Sequence, residues 1–159
     1  MITQVKAYSR EYMGQNLHQL SANGKNFFIS VVDPLAGNVF PDSHDRAITL
    51  RFDDVSPDMF ESQEHFEQIC EQMAKYGRPY QLFSNVQADE VVTFVTRLHE
   101  SAAEVVLHVH CTFGVSRSGA IALYAAQTCQ LDMNSFAASN PQIHPNQLVL
   151  QTLNRSAVG

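Results

Sequence analysis

Little of this sequence is charged: Asp, Glu, Lys and Arg make up only 16% of 159 residues, and glycine and proline are sparse, at seven and six. With hydrophobic types at 45%, that balance excludes a disordered chain, a collagen-like repeat and a coiled coil. The length suits one domain that buries most of its apolar surface. Basic residues are few, ten against sixteen acids for a net charge of −6, the wrong sign for non-specific attraction to nucleic acid or an anionic bilayer. Neither is expected as a partner. No apolar run approaches the roughly 18 to 20 residues of a membrane span, and the opening MITQVKAYSREYMGQN contains no signal-peptide stretch. A cytoplasmic location is the expectation. Cysteine is limited to Cys70, Cys111 and Cys129 with no C-x-x-C pair, which argues against a disulfide framework and a structural zinc site and leaves free thiols. Repeats, low-complexity tracts and linkers are missing too, so residues 1–159 read as a single domain.

The first 26 residues are polar and weakly patterned. Beyond them, Phe27–Val32 (FFISVV) is a β-branched and aromatic run, and Ala47–Phe52 (AITLRF) alternates Ile48, Leu50 and Phe52 with polar positions; both read as strands. Ser56-Pro57 reads as an N-cap with proline at the first helical position. Phe66, Ile69, Cys70 and Met73 then follow helical spacing until Gly77. A second helix starts at Ser84, whose S-x-x-Q spacing to Gln87 fits a capping box, with Val91, Phe94, Val95 and Leu98 as its buried stripe. Val105–His110 (VVLHVH) reads as a buried strand, Ser118–Gln130 as an enclosed Ala-rich helix, and Pro145 opens a last helix through Asn154. Helices interleaved with strands predict an α/β fold with a mostly parallel central sheet flanked by helices.

Between the buried strand and the enclosed helix lies His110-Cys111-Thr112-Phe113-Gly114-Val115-Ser116-Arg117-Ser118. A strand-loop-helix joint presents unpaired backbone N–H groups toward one point, and the positive end of the helix dipole adds to them, so the loop suits a tetrahedral oxyanion. Cys111 stands at its start, in a field that favours thiolate over thiol. Arg117 closes the loop with a planar fork that matches two phosphate oxygens, and Gly114 permits the backbone reversal.

HCTFGVSRS resembles the H-C-x-x-G-x-x-R-[S/T] signature of the cysteine-dependent protein tyrosine and dual-specificity phosphatases, and the strand-loop-helix context resembles theirs as well. The position of the loop late in a short chain is most similar to the compact dual-specificity group. The resemblance covers nine residues by signature and roughly residues 27–155 by order of elements. It implies that Cys111 attacks phosphorus in line and forms a cysteinyl phosphate, while Arg117 and the N–H groups of Thr112, Phe113, Gly114, Val115, Ser116 and Arg117 bind the phosphoryl oxygens. It further implies that Ser118 hydrogen-bonds the Cys111 sulfur and that His110 holds the loop from beneath. No metal and no cofactor is expected, since the arginine and the amides supply the stabilisation that magnesium gives elsewhere.

A general acid is also required, because an alkoxide or phenolate leaves poorly unless protonated. In the compact phosphatases it is an aspartate after a strand upstream of the cysteine. The strand ITLRF runs into Asp53-Asp54, and the alternation of Ile48, Leu50 and Phe52 puts Asp54 in phase with them. Asp54 is the first candidate, Asp53 the second, Asp58 the third, with Asp33 next. The spacing to Cys111 exceeds the family's usual one, so residues 57–83 read as an insertion.

The expected substrate is a phosphorylated protein or a small phosphomonoester. Phosphoinositides and RNA 5′ ends usually call for extra basic residues in the loop, and Thr112, Phe113, Val115 and Ser116 supply none. A catalytically silent phosphate-binding module is the rival of another class, although such proteins typically lose the Cys or Arg. His108 and His110 share a strand face without a third metal ligand. Cys70 and Cys129 fall on apolar helix positions as fill. The oligomeric state is not legible.

Overall fold

The computed structural model describes residues 1–159. Four parallel strands form the centre: β1 (Ile2–Ser9), β2 (Asn26–Val32), β3 (Ala47–Arg51) and β4 (Val105–Cys111), in the order β1-β4-β2-β3. Six helices flank them: α1 (Arg10–Ser21), α2 (Gln63–Lys75), α3 (Asn85–Glu100), α4 (Arg117–Thr128), α5 (Met133–Ser139) and α6 (Gln147–Val158). The result is one α/β domain whose sheet is wholly parallel rather than mostly so. No helix is long and apolar enough to cross a membrane.

β4 is hydrogen-bonded on both edges and covered on both faces, which is why its sequence is a β-branched run rather than an alternation. Val105, Leu107, Val109 and Cys111 point into the larger core, where α3, α4 and α6 pack with Val91, Phe94, Ile121 and Leu153. The opposite face carries His108 and His110 toward a smaller layer of Met13, Phe28 and Phe40. Leu50 on β3 and Phe52 just past its end are buried in the larger core with Ile48 packed against it, as the alternation predicts.

Several elements differ from the sequence reading. Within the first 26 residues lie β1 and α1. A bulge between Ile2 and Gln4 breaks the two-residue period, so the buried positions become Ile2, Val5 and Ala7, and α1 buries only Met13 fully. Ser56-Pro57 does not open the amphipathic helix: Pro57–Met59 is a 3-10 turn, and α2 starts after Ser62, whose hydroxyl accepts the His65 N–H. Ser56 instead accepts the Leu148 N–H at 3.1 Å. The last helix is capped by Asn146, one residue beyond Pro145, and runs to Val158. The capping box of Ser84 and Gln87 forms as predicted.

His108 and His110 tie this fold to pH. The Asn26 amide donates to Leu20 O at 2.9 Å, which fixes its oxygen as the acceptor facing His108 Nε2, also at 2.9 Å. Burial pushes both imidazoles down, each from 6.5 to about 4, with Lys6 adding to His108. Both are neutral in the fold, whereas in the unfolded chain they titrate near their ordinary value, so below it the unfolded state binds more protons. Stability is therefore complete above about pH 6.5 and falls as the pH drops toward 4, by on the order of 3 kcal/mol per histidine at the limit. Urea midpoints measured down this range should fall, and His108→Gln should make the fall shallower. An identical fall in that variant would remove His108 from this dependence.

Candidate active site

The C-terminal ends of all four strands meet at one edge of the sheet, the edge at which open parallel sheets bind ligands. β4 ends in Cys111, β1 leads through Ser9 into Arg10, β2 leads into Asp33, and β3 leads through Phe52 into Asp53 and Asp54. The loop from Thr112 to Ser116 joins β4 to α4, and its shape follows from where its carbonyls go. Cys111 O accepts from His110 Nδ1 at 3.4 Å, Thr112 O from the Arg10 N–H at 3.1 Å, and Gly114 O from Gln142 Nε2 at 3.2 Å. Val115 O accepts from the His144 N–H at 2.9 Å and Ser116 O from the Asn146 N–H at 3.0 Å. A trans peptide directs its N–H opposite to its C=O, and the chain has no cis bond. The N–H groups of Thr112, Phe113, Val115, Ser116 and Arg117 are thus turned to the inner side of the loop, and none donates to a protein acceptor.

The start of α4 adds to this set. The other five helices have a side-chain N-cap, from Ser9, Ser62, Ser84, Asp132 and Asn146. Ser116, at the N-cap of α4, gives no such bond and sends its hydroxyl to Asp54 Oδ1 at 2.8 Å. The positive end of α4 is left open toward the loop.

Gly114 makes the curl possible. Its φ is +74°, and a Cβ there would fall within the Tyr8–Ser9 peptide, 2.6 Å from Ser9 N. Gly114→Ala is expected to cost more than the ~1–2 kcal/mol of a left-handed alanine, because backbone must also move. Thermal unfolding measures the loss. An unchanged value would mean that the loop is not held against β1.

Cys111 is 2% exposed, and its Sγ lies 3.1 Å from Ser118 Oγ. Arg117 is 3% exposed. Its Nη1 donates to Phe52 O at 2.8 Å, and its Nη2 donates to Thr112 Oγ1 at 3.0 Å and pairs with Asp33 Oδ1 at 2.8 Å. Its Nε is buried without a protein partner. A guanidinium held at two corners with a third donor unpaired is suited to an incoming oxyanion.

The four aspartates are separated by their partners. Asp54 Oδ1 accepts from Ser116 and from Asn146 Nδ2, the latter at 2.9 Å, so Asp54 lies at the loop, with no hydrogen bond to its Oδ2. Asp53 turns away: its Oδ2 accepts the Gln81 N–H at 2.7 Å. Asp58 is bonded to the Ser56 hydroxyl. Asp33 sits at the loop through Arg117 and also accepts from Thr112 Oγ1 at 3.2 Å. Beside it opens a cleft of about 490 Å³ lined by Leu35, Asp53, Met73, Arg78 and Tyr80 among others. Cys70 is half-buried and Cys129 buried, with the Cys129 thiol pushed up to about 11 by burial.

Arg10, Ser30, Gln142, His144 and Asn146 were not candidates from sequence. They belong to the site because strand ends and the segment before α6 surround the loop, and only the capping pattern of Asn146 carried a local signal. No protein-family model matches the chain, and neither does any curated protein.

Proposed function

We propose that the protein is a phosphomonoester hydrolase of the protein tyrosine and dual-specificity type, working through a cysteinyl phosphate. The observation that carries this reading is the loop with its carbonyls taken up outside, leaving amide N–H groups and the unpaired Arg117 Nε–H for the oxygens of a phosphoryl group. That donor set complements the equatorial oxygens of phosphoryl transfer.

In the first step the Cys111 sulfur attacks phosphorus: an S–P bond forms, the ester P–O bond breaks, and the leaving oxygen takes the proton from Asp54 Oδ2. In the second, water attacks phosphorus, giving its proton back to Asp54. The S–P bond breaks and inorganic phosphate departs with the thiolate restored. Ser118, bonded to the sulfur, stabilises it as it leaves. Asp33 holds Arg117 at its outer corner.

Hydrolysis of a generic aryl phosphate by the purified protein tests this reading. Turnover that vanadate inhibits and a chelator leaves unchanged is the expected result. Phosphate binding without turnover would instead identify a silent phosphate-binding module, and loss with EDTA restored by zinc or manganese would identify a metal-dependent hydrolase.

A further inference from the structure

Ser30 lies directly across from His110 in the β2–β4 register. Both are fully buried, and the Ser30 hydroxyl is 2.6 Å from His110 Nε2. The other ring nitrogen, Nδ1, faces Cys111 O at 3.4 Å. A carbonyl oxygen only accepts, so the bond requires the ring proton on Nδ1, and a neutral ring with that tautomer has Nε2 as an acceptor. The Ser30 O–H must then be the donor.

We infer that Ser30 is a positioning residue, which fixes the His110 tautomer and through it the direction of the Cys111–Thr112 peptide, whose N–H is the first donor of the loop. The cations Arg10 and Arg117 both disfavour a charged imidazole at this position, and neither supplies the proton acceptor that an Nε2–H would need. Asp33 and Asp54 are occupied by Arg117 and Thr112 and by Ser116 and Asn146. His108, two residues earlier on the same face, is bonded to Asn26 instead. Ser30 is thus the one side chain bonded to Nε2. Without it, the Nδ1–H tautomer loses its advantage and the peptide its anchor.

The inference rests on the proposed phosphate chemistry only for what the loop holds, and its test does not need turnover. In the unsubstituted protein, ¹⁵N NMR should find His110 as the Nδ1–H tautomer; an Nε2–H tautomer would overturn the inference, whether or not any variant folds. Ser30→Ala should disturb that signature and weaken inorganic phosphate binding about fivefold, the equivalent of one buried hydrogen bond, while Ser30→Thr restores both. A folded Ser30→Ala protein with the wild-type His110 signal and phosphate affinity would contradict it. If the wild-type protein binds phosphate with the predicted tautomer but hydrolyses no ester, the catalytic reading fails and the role of Ser30 stands.

Discussion

Cys111→Ser is expected to lose turnover by on the order of 10⁵-fold or more while still binding phosphate. A serine hydroxyl is a far weaker nucleophile than a thiolate, and no neighbouring base would activate it: His110 is held between Ser30 and the Cys111 carbonyl with both ring nitrogens engaged. The amide groups and Arg117 that bind the anion remain. The substitution is close in volume, so the fold should lose little. Steady-state assays and phosphate titration on the same preparation measure the two effects. Turnover above a few per cent of wild type would remove Cys111 from the mechanism, and loss of phosphate binding together with turnover would mean that the sulfur shapes the loop.

The next largest effect belongs to the acid. Asp54→Asn should slow substrates with poor leaving groups, such as phosphotyrosine, by about 10² to 10⁴-fold, slow activated aryl phosphates far less, and flatten the basic limb of the pH profile. The dependence on leaving group is the diagnostic feature, because only the first step protonates a leaving oxygen, whereas the second is common to all substrates. Asp53→Asn should cost much less, since its carboxylate accepts a backbone N–H of Gln81. Asp33→Asn should slow all substrates alike, because that carboxylate pairs with Arg117. If leaving-group dependence appears in Asp33→Asn and not in Asp54→Asn, the acid is Asp33 and Asp54 serves to hold Ser116 and Asn146.

The candidate loop was legible as a strand-loop-helix joint because its residues are contiguous: His110, Cys111, Gly114, Arg117 and Ser118 are set at fixed spacing between β4 and α4. Asp54 could be singled out because Ile48, Leu50 and Phe52 fixed the phase of β3. β1 was not legible, since the bulge after Ile2 interrupts the period on which a strand is recognised. Losing β1 also hid Arg10 and the backbone against which Gly114 packs. The false start of α2 at Ser56-Pro57 has a similar cause: serine followed by proline serves a single 3-10 turn as well as a long helix. Ser30, Gln142 and Asn146 act across 28 to 92 residues of sequence, through a topology that no local pattern encodes.

The proposed mechanism turns on a covalent bond between Cys111 sulfur and phosphorus. Rapid mixing with an aryl phosphate, a denaturing quench within the first turnovers, and mass spectrometry of the digested protein test it most directly. A phosphate adduct on the peptide that carries Cys111 is expected, formed with a burst of released phenol and lost in Cys111→Ser. Turnover accompanied by no adduct, or by an adduct on another residue, would contradict it.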